Sequence, residues 1–451
     1  MKRHVGDLVR LAAPVAVSRA GIVAMGAVDT LMVGRYDPHE LAFLGLGNVP
    51  VGVMLSGGSG LLMGTVVMTA TALGAGRPER CGQVWRSALP YALLIGVAFG
   101  LFCQFGAHLF GLLGQRPDLA EAGGRVLAAY GLGMPAAMLF MATAMFLEGI
   151  KRPLPAMVVM VAANVANIPL NAFLIGGGAG IPALGAQGAV IATSLLRWAM
   201  ALGLIAYVLL RPAHAPYGVR GGFGGWWREG AAQRRLGYAA GVSQGLESTS
   251  FAALGVFAGW LGAEALAAFT VGFNLIALPF MAAVGLSVAT GVRVGEAYGR
   301  RDRVDVAVAG WTGLGVACLL LSPVAIVFLA APDAIAAAFT RDPALQVTVA
   351  GLVAFNAWIL VVDGGQVVMA AALRGRHDAW TPTALHFFSY FGVMMPLSAL
   401  LSLGLGRGVQ GLFEGILIAS VVSVSVLALR FQKLARRDAA AEACVSVAEK
   451  V

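Results

Sequence analysis

Two acidic residues lie deep inside apolar stretches of this sequence, where a charge is unusual. Glu247 is about ten residues into an apolar run that begins near residue 237, and Asp363 has a similar position in a later run. A helix rises ~1.5 Å per residue, which predicts both carboxylates ~15 Å deep in a bilayer. Two carboxylates at matched depth repel unless a cation or proton lies between them. The pair is therefore a candidate site for Na⁺ or H⁺, with Na⁺ as the metal.

A third acid, Asp29, lies near the end of the first apolar run. A later run carries Asn167 and Asn171 one helical turn apart, and Thr193 follows in the next run. These four side chains are predicted to form a polar cluster in the first half of the chain. Other interpretations stay open, because a buried acid can be protonated or structurally paired, and Asn or Thr inside a membrane also joins helices.

The composition predicts that these residues belong to a polytopic membrane protein. Hydrophobic residues make up 59% and charged residues 12%, with a mean hydropathy of +0.82. In soluble domains roughly 45–50% of the residues are apolar and roughly 25% are charged. The predicted fold class is all-α with twelve transmembrane helices, placed at 8–33, 44–72, 87–113, 125–147, 155–176, 187–210, 237–262, 266–292, 306–330, 346–372, 382–404 and 409–430.

The distribution of basic residues predicts the orientation. With the N-terminus inside, 24 of the 31 Lys and Arg residues fall in cytoplasmic segments, Lys450 of the tail among them. Five fall outside, including Arg341, and the remaining two, Arg19 and Arg197, lie within spans. Cytoplasmic enrichment of this kind marks topology, so both termini are predicted in the cytoplasm and nucleic acid is not expected as a partner.

The second half of the chain repeats the first at an offset of 223 to 227 residues. Six spans in each half give both halves the same sense of insertion, as in transporters with parallel repeats. The alternative is two fused bundles without a moving site. The repeated landmarks are Gly76-Arg-Pro-Glu-Arg80 with Gly299-Arg-Arg-Asp-Arg303, Leu147-Glu-Gly149 with Leu373-Arg-Gly375, Ile168-Pro-Leu170 with Met395-Pro-Leu397, and Gly185-Ala-Gln-Gly188 with Gly408-Val-Gln-Gly411.

The repeat predicts four parts along the chain. An N-terminal six-helix lobe covers residues 1–210, and a C-terminal six-helix lobe covers 237–432. A cytoplasmic linker at 211–236 carries Trp226-Trp227 beside several arginines, which is typical of an interfacial segment. A cytoplasmic tail follows at 433–451.

Few motifs of catalysis occur in the sequence. No Gly-Lys dipeptide is present, which excludes a Walker A loop, and HExxH does not occur. A GxSxG pattern occurs at Gly241-Val-Ser-Gln-Gly245, but it lies inside a predicted apolar span and not at the strand-to-helix turn that a nucleophilic serine of this motif requires. The four cysteines form no CxxC pair, so no disulfide framework or cysteine metal site is expected. We therefore expect neither an enzyme nor a cofactor. An intramembrane enzyme that uses Glu247 and Asp363 as an acid/base pair stays open on residue type, but the repeat argues against it.

Several segments together resemble the multidrug and toxic compound extrusion (MATE) family. They are Leu11-Ala-Ala-Pro14 with Val28-Asp-Thr-Leu-Met-Val-Gly34, Gly245-Leu-Glu-Ser-Thr-Ser-Phe251 with Asn274 and Arg293-Val-Gly295, and Asp363-Gly-Gly-Gln366 with Leu373-Arg-Gly375. The resemblance covers nearly the whole chain. A glutamate in the seventh span together with an aspartate in the tenth is similar to the NorM-type branch. Arg19 within the first span departs from the pattern of the family.

The resemblance implies two lobes around a V-shaped cleft that opens alternately to either side of the plasma (inner) membrane. It implies export of organic drugs, often cationic, against Na⁺ or H⁺, and thereby antibiotic resistance. The protein is expected to be a monomer. By this resemblance, Glu247 and Asp363 take part in cation coupling, and Asp29 with its polar cluster is protonated or binds a cation. The drug is expected to contact Asp342, Phe280 and Asn274. The alternative within the superfamily, a flippase for lipid-linked precursors, calls for a cationic cavity.

Overall fold

The protein is described by a computed structural model that covers residues 2–178, 180, 182–340 and 342–448. The side chains of residues 2–4, 344 and 439–448 are not described. Arg341 and Lys450, which enter the predicted charge distribution, and the end of the predicted tail therefore lie outside the described residues.

The described chain is built from helices. In the first half they are α1 (Lys2–Tyr36), α2 (Pro38–Leu62), α3 (Gly64–Gly74), α4 (Pro78–Cys103), α5 (Gly106–Leu112), α6 (Pro117–Gly149), α7 (Leu154–Gly176), α8 (Gly185–Leu210) and α9 (Trp226–Glu229). The second half has α10 (Ala231–Trp260), α11 (Ala263–Gly299), α12 (Arg303–Ala330), α13 (Pro332–Phe339), α14 (Pro343–Gly375), α15 (Trp380–Phe387), α16 (Met395–Ala399) and α17 (Gly408–Ala448). A 3₁₀ turn, Pro212–Tyr217, follows α8, and π-helical segments at Phe388–Met394 and Leu400–Gly404 flank α16.

Eleven helical segments of the described chain are long and apolar enough to cross a membrane. One joins α2 and α3 as Pro38–Gly74, and another runs through α15 and α16 as Trp380–Gly404. The predicted seventh span corresponds to α10, a continuous helix of 30 residues. It is not among the eleven because the stretch from Ser243 to Ser250 is polar, and Glu247 lies in that stretch.

The chain divides into two compact units. The Asp29 unit holds Ser18–Leu73 and Arg77–Gly241, and the Glu247 unit holds the first 17 residues, Gly74–Gly76 and the chain from Val242 onward. Both α1 and α10 are therefore divided between the units. The part of α1 up to Val17 belongs to the Glu247 unit, and the part of α10 up to Gly241 belongs to the Asp29 unit. The predicted boundaries at 210 and 237 stay a prediction.

A long central helix organises each unit. In the Asp29 unit α6 packs against α2, α4, α5 and α8, and most of its apolar length is buried. In the Glu247 unit α14 packs against α11, α12, α13 and α17. Apolar side chains also remain exposed along the spans, Leu319 and Val347 among them, as expected of surfaces in contact with lipid.

The segment between α8 and α10 is folded onto the Asp29 unit. His214 and Val219 are fully or almost fully buried, and Arg86 of α4 donates a hydrogen bond to the carbonyl oxygen of Gly222 at 3.0 Å. The guanidinium of Arg234 lies 3.8 Å from the centre of the Trp227 ring. This segment is thus a docked structure rather than a free tether.

Candidate functional site

Three helices of the Asp29 unit bring the predicted polar cluster together. Asp29 on α1 is 2% exposed, and its Oδ1 accepts hydrogen bonds from the side-chain amides of Asn171 at 2.7 Å and Asn167 at 3.2 Å. Its Oδ2 accepts from the Thr193 hydroxyl at 2.7 Å. Pro169 lies between the two asparagines and interrupts the hydrogen bonding of α7 at this level. Both carboxylate oxygens are therefore held by donors, an arrangement that stabilises the ionised form.

A cavity of about 670 Å³ lies against this cluster within the Asp29 unit. Asp29, Thr193 and Arg197 line it together with apolar and aromatic side chains. Mostly apolar walls with a few polar groups are typical of sites for small organic molecules, and methionines allow such walls to adapt. The apolar part of the wall includes Met25, Phe140, Met141, Met160 and Met200.

Arg197 is the cation of this cavity. It lies one turn after Thr193 on α8, its charge interacts with that of Asp29, and its guanidinium is 5.5 Å from the centre of the Tyr130 ring. Its Nη1 is buried and donates no hydrogen bond to the described residues. The arginine therefore lies in the same cavity as the acid.

Arg19, the residue that departs from the family pattern, is paired. Its Nη2 donates to Glu148 at the end of α6, at 3.2 and 3.4 Å to the two carboxylate oxygens. Side-chain exposure is 12% for Arg19 and only 2% for Glu148. Glu148 is thus an interior acid that the sequence reasoning missed, because it stands at the boundary of a predicted span.

Asn164 has a different role from the two asparagines beside Asp29. Its side-chain amide donates to the backbone oxygens of Gly21 on α1, at 3.1 Å, and Met160 on its own helix, at 2.9 Å. Asn164 therefore joins α7 to α1. This is the interhelical role that the sequence offered as an alternative for polar residues inside the membrane.

In the Glu247 unit the two predicted carboxylates lie near each other. Glu247 on α10 and Asp363 on α14 are both partly buried, and their charges interact. Asp363 accepts a hydrogen bond from Ser420 of α17 at 3.2 Å. The Tyr390 hydroxyl, whose charge would interact with both acids, accepts from Gln366 at 2.6 Å. Carboxylates and hydroxyls are oxygen ligands of the kind that suits Na⁺, so these residues fit the predicted ion.

Arg374, which the sequence counts among the basic residues of a cytoplasmic segment, also belongs to this carboxylate cluster. It is 7% exposed, and its Nη2 donates to Ser243 at 3.0 Å, one turn before Glu247 on α10. The charges of Arg374 and Glu247 interact. His386 Nδ1 lies 2.6 Å from the same Ser243 hydroxyl. With both acids ionised, two negative charges face one positive charge, which leaves room for one monovalent cation.

The three residues predicted to contact drug all belong to the Glu247 unit, and none of them lines the cavity beside Asp29. Asn274 is exposed and donates to Thr270 of its own helix at 2.9 Å. Phe280 packs against a small apolar cluster that contains Leu321 and Leu360. Asp342 is exposed just before α14. Their contact with drug stays a prediction.

Fold and sites define a polytopic helical membrane protein with two repeated units, each carrying acidic groups inside its helices. The sequence profile of the MatE family matches residues 14–173 and 239–400, one segment in each half. The chain belongs to the MatE family.

Similar proteins cover almost the whole chain. A "Probable multidrug resistance protein NorM" of Caulobacter vibrioides is 36% identical over 96% of this chain and 92% of its own length. "Multidrug resistance protein PmpM" of Pseudomonas aeruginosa is 31% identical over 97% and 93%. Among solved structures, the eukaryotic MATE transporter AtDTX14 superimposes with a TM-score of 0.87 at 18% identity, covering 97% of this chain and 98% of that one.

Proposed function

We propose that this protein is a secondary active multidrug exporter, which moves organic and often cationic drugs out of the cell in exchange for Na⁺ or H⁺. Membership of the MatE family and similarity to multidrug resistance proteins over nearly the full chain support this function. Transport would proceed by alternating access of the two lobes. The protein would work as a monomer in the plasma (inner) membrane, with both termini cytoplasmic and without a cofactor or a catalytic step.

The observation that carries the proposal is the cavity beside Asp29. It combines a volume of about 670 Å³, adaptable apolar walls and an interior acid, the features that an amphipathic cation requires. A cation that binds near the acid and a coupling ion that neutralises it oppose each other. By linkage, each then lowers the affinity for the other, which is the requirement for exchange.

The coupling ion has two candidate sites. Glu247 and Asp363 form a site of net negative charge that suits Na⁺ or H⁺, and Asp29 with its polar cluster forms the other. In either case occupancy must bias the protein between its inward- and outward-open states, since an ion without differential affinity for the two states shifts nothing.

Efflux of ethidium from energised, drug-sensitised cells tests the function, with Na⁺ and pH gradients imposed separately. Efflux that follows the Na⁺ gradient supports a sodium site at Glu247 and Asp363. Efflux that follows pH alone supports coupling at Asp29. Absence of efflux under both gradients contradicts the proposal and favours transport of lipid-linked precursors.

Single substitutions assign the roles of the acids. Glu247→Gln is expected to abolish ethidium efflux while the protein inserts normally, and Asp363→Asn is expected to impair it strongly. The matched control is Glu121→Gln, which makes the same chemical change at an exposed acid that pairs with Arg125 on the same helix. Full drug resistance in Glu247→Gln cells would contradict the role given to that residue.

A further inference from the structure

We propose that Arg197 is a tethered counter-ion of Asp29, which competes with the coupling cation and thereby sets the affinity of the Asp29 site for that cation. The proposal rests on the proposed function, because it concerns ion coupling at one of its two sites. It assigns a specificity-determining role to a residue outside the predicted set.

The placement of Arg197 supports this role. Thr193 and Arg197 are one turn apart on α8, and the Thr193 hydroxyl donates to Asp29 Oδ2, so this face of α8 is turned toward the acid. Asp29 and Arg197 both line the cavity of about 670 Å³. Tyr130 of α6 also lies close to the guanidinium, with 5.5 Å between the guanidinium carbon and the ring centre.

The side chain of Arg197 has hydrogen-bonding capacity that the described residues do not use. This favours an electrostatic role for the arginine over one in holding helices together by hydrogen bonds. Nη1 is buried and has no acceptor among the described residues. Both oxygens of Asp29 already accept hydrogen bonds from Asn167, Asn171 and Thr193. The arginine thus acts on Asp29 through space, and its effect is electrostatic. The other titratable groups that face this pair are Tyr130 on α6 and Cys103 on α4.

A fixed positive charge beside a carboxylate weakens binding of any further cation, whether a proton or a metal ion. With Arg197 in place, the ionised Asp29 is neutralised without a bound ion. A coupling cation therefore binds only at the concentrations that the outside supplies, and it leaves readily on the inside. Without the arginine, the same acid would retain the cation and slow the cycle.

The first test measures ethidium transport in proteoliposomes. It determines the concentration of Na⁺, or of H⁺ where pH drives transport, that gives the half-maximal rate. Arg197→Gln is expected to shift this concentration downward by about tenfold or more. Arg197→Lys keeps the charge and is expected to stay within about twofold of the parent. Arg125→Gln, which removes an exposed arginine, is the control for loss of charge as such. An unshifted half-saturation in Arg197→Gln overturns the proposal.

The second test measures thermal unfolding in detergent and does not depend on transport. Asp29→Asn leaves the partly buried Arg197 without its counter-charge, so it should lower the melting temperature more than the double substitution Asp29→Asn/Arg197→Gln does. Additive losses in the double variant overturn the proposal. If the parent protein shows no gradient-driven efflux, the proposed function fails, whereas the unfolding cycle still decides whether the two charges are coupled.

Discussion

At the scale of single residues, interior charges in this protein occur in company. Arg19 pairs with Glu148, Arg197 accompanies Asp29, and Arg374 accompanies the carboxylates of the Glu247 unit. An isolated charge in a medium of low dielectric constant costs several kcal/mol, and an opposite charge offsets part of that cost. The companions explain how a chain of this hydropathy keeps ionisable groups inside its helices.

The Arg19–Glu148 pair gives a prediction about stability. Glu148→Ala leaves Arg19 buried without a partner and is expected to destabilise the protein by about 3–5 kcal/mol. The double substitution Arg19→Met/Glu148→Leu removes both charges and should cost much less. Thermal unfolding of the purified protein in detergent measures both.

The control for this prediction is the exposed pair of Arg125 and Glu121, whose side chains are 60% and 72% exposed. Its removal by Arg125→Ala should cost less than about 1 kcal/mol. Equal losses for the buried and the exposed pair would show that Arg19–Glu148 is not a structural contact.

His214 in the segment after α8 gives a prediction about pH. Burial lowers the pKa of this imidazole below its ordinary value of 6.5, with smaller contributions from the neighbouring charges of Arg152 and Arg211. The unfolded chain therefore binds a proton more readily than the folded protein. The stability contributed by neutral His214 is complete above pH 6.5 and is lost as the pH falls through the lower folded pKa.

The check on this prediction compares melting temperatures at about pH 7.5 and about pH 5. The parent should lose stability toward the acid side, and His214→Gln, which cannot titrate, should lose less. An identical acid loss in both proteins would assign the sensitivity to other groups. Ethidium efflux serves as the control that His214→Gln has kept its fold.

At the scale of helices, glycines allow α10 to approach α2 and α3 closely within the Asp29 unit. A Cβ at Gly64 would overlap the carbonyl oxygen of Gln233, and one at Gly237 would overlap that of Leu61. The buried Gln233 side chain then donates to Thr65 at 2.7 Å. In a membrane, where lipid tails are as apolar as the helices, such close backbone approach drives packing through dispersion and hydrogen bonds.

A glycine in α3 and a glycine in α2 test this packing. Gly64→Ala should destabilise the protein by about 1–3 kcal/mol, because backbone atoms of α10 would have to move. Gly57→Ala places its methyl group in open space and should be neutral or up to about 1 kcal/mol stabilising. Thermal unfolding in detergent checks both, and equal effects would contradict the close contact.

At the scale of the whole molecule, the basic residues predict the orientation in the membrane. After the four cysteines are replaced by alanine, a new cysteine at exposed Gln115 should react with a membrane-impermeant maleimide in intact cells. One at exposed Glu229 should react only after the cells are permeabilised. The reverse pattern would invert the topology, while equal labelling at both positions would point to leaky cells.

The repeat places residues of opposite charge at equivalent positions. Glu148 of Leu147-Glu-Gly149 and Arg374 of Leu373-Arg-Gly375 are 226 residues apart. The structure buries both, and each bonds to the first helix of its own half, to Arg19 on α1 and to Ser243 on α10. The two halves thus make this contact at equivalent positions, but the buried residue is an acid in the first half and an arginine in the second.

The sequence by itself determined the class of fold, because hydropathy and residue spacing are summed over many positions. It also identified Asp29, Glu247 and Asp363, since an acid inside an apolar run is conspicuous whatever surrounds it. Asn167 and Asn171 followed from helical spacing, which places side chains one turn apart on the same face. Thr193 was added as a polar residue of the next predicted span that could join them.

Only the tertiary structure decided the partners of these groups. Nothing local in the sequence indicates that Arg374 lies inside and contacts Ser243, or that Glu148 is interior. The position of Arg197 one turn after Thr193 left two directions open for its side chain, toward an interior acid or toward the membrane surface. Long side chains at the ends and flanks of helices can reach either the membrane surface or the interior. Their direction depends on which charge a neighbouring helix presents, and that neighbour is often more than a hundred residues away in the chain.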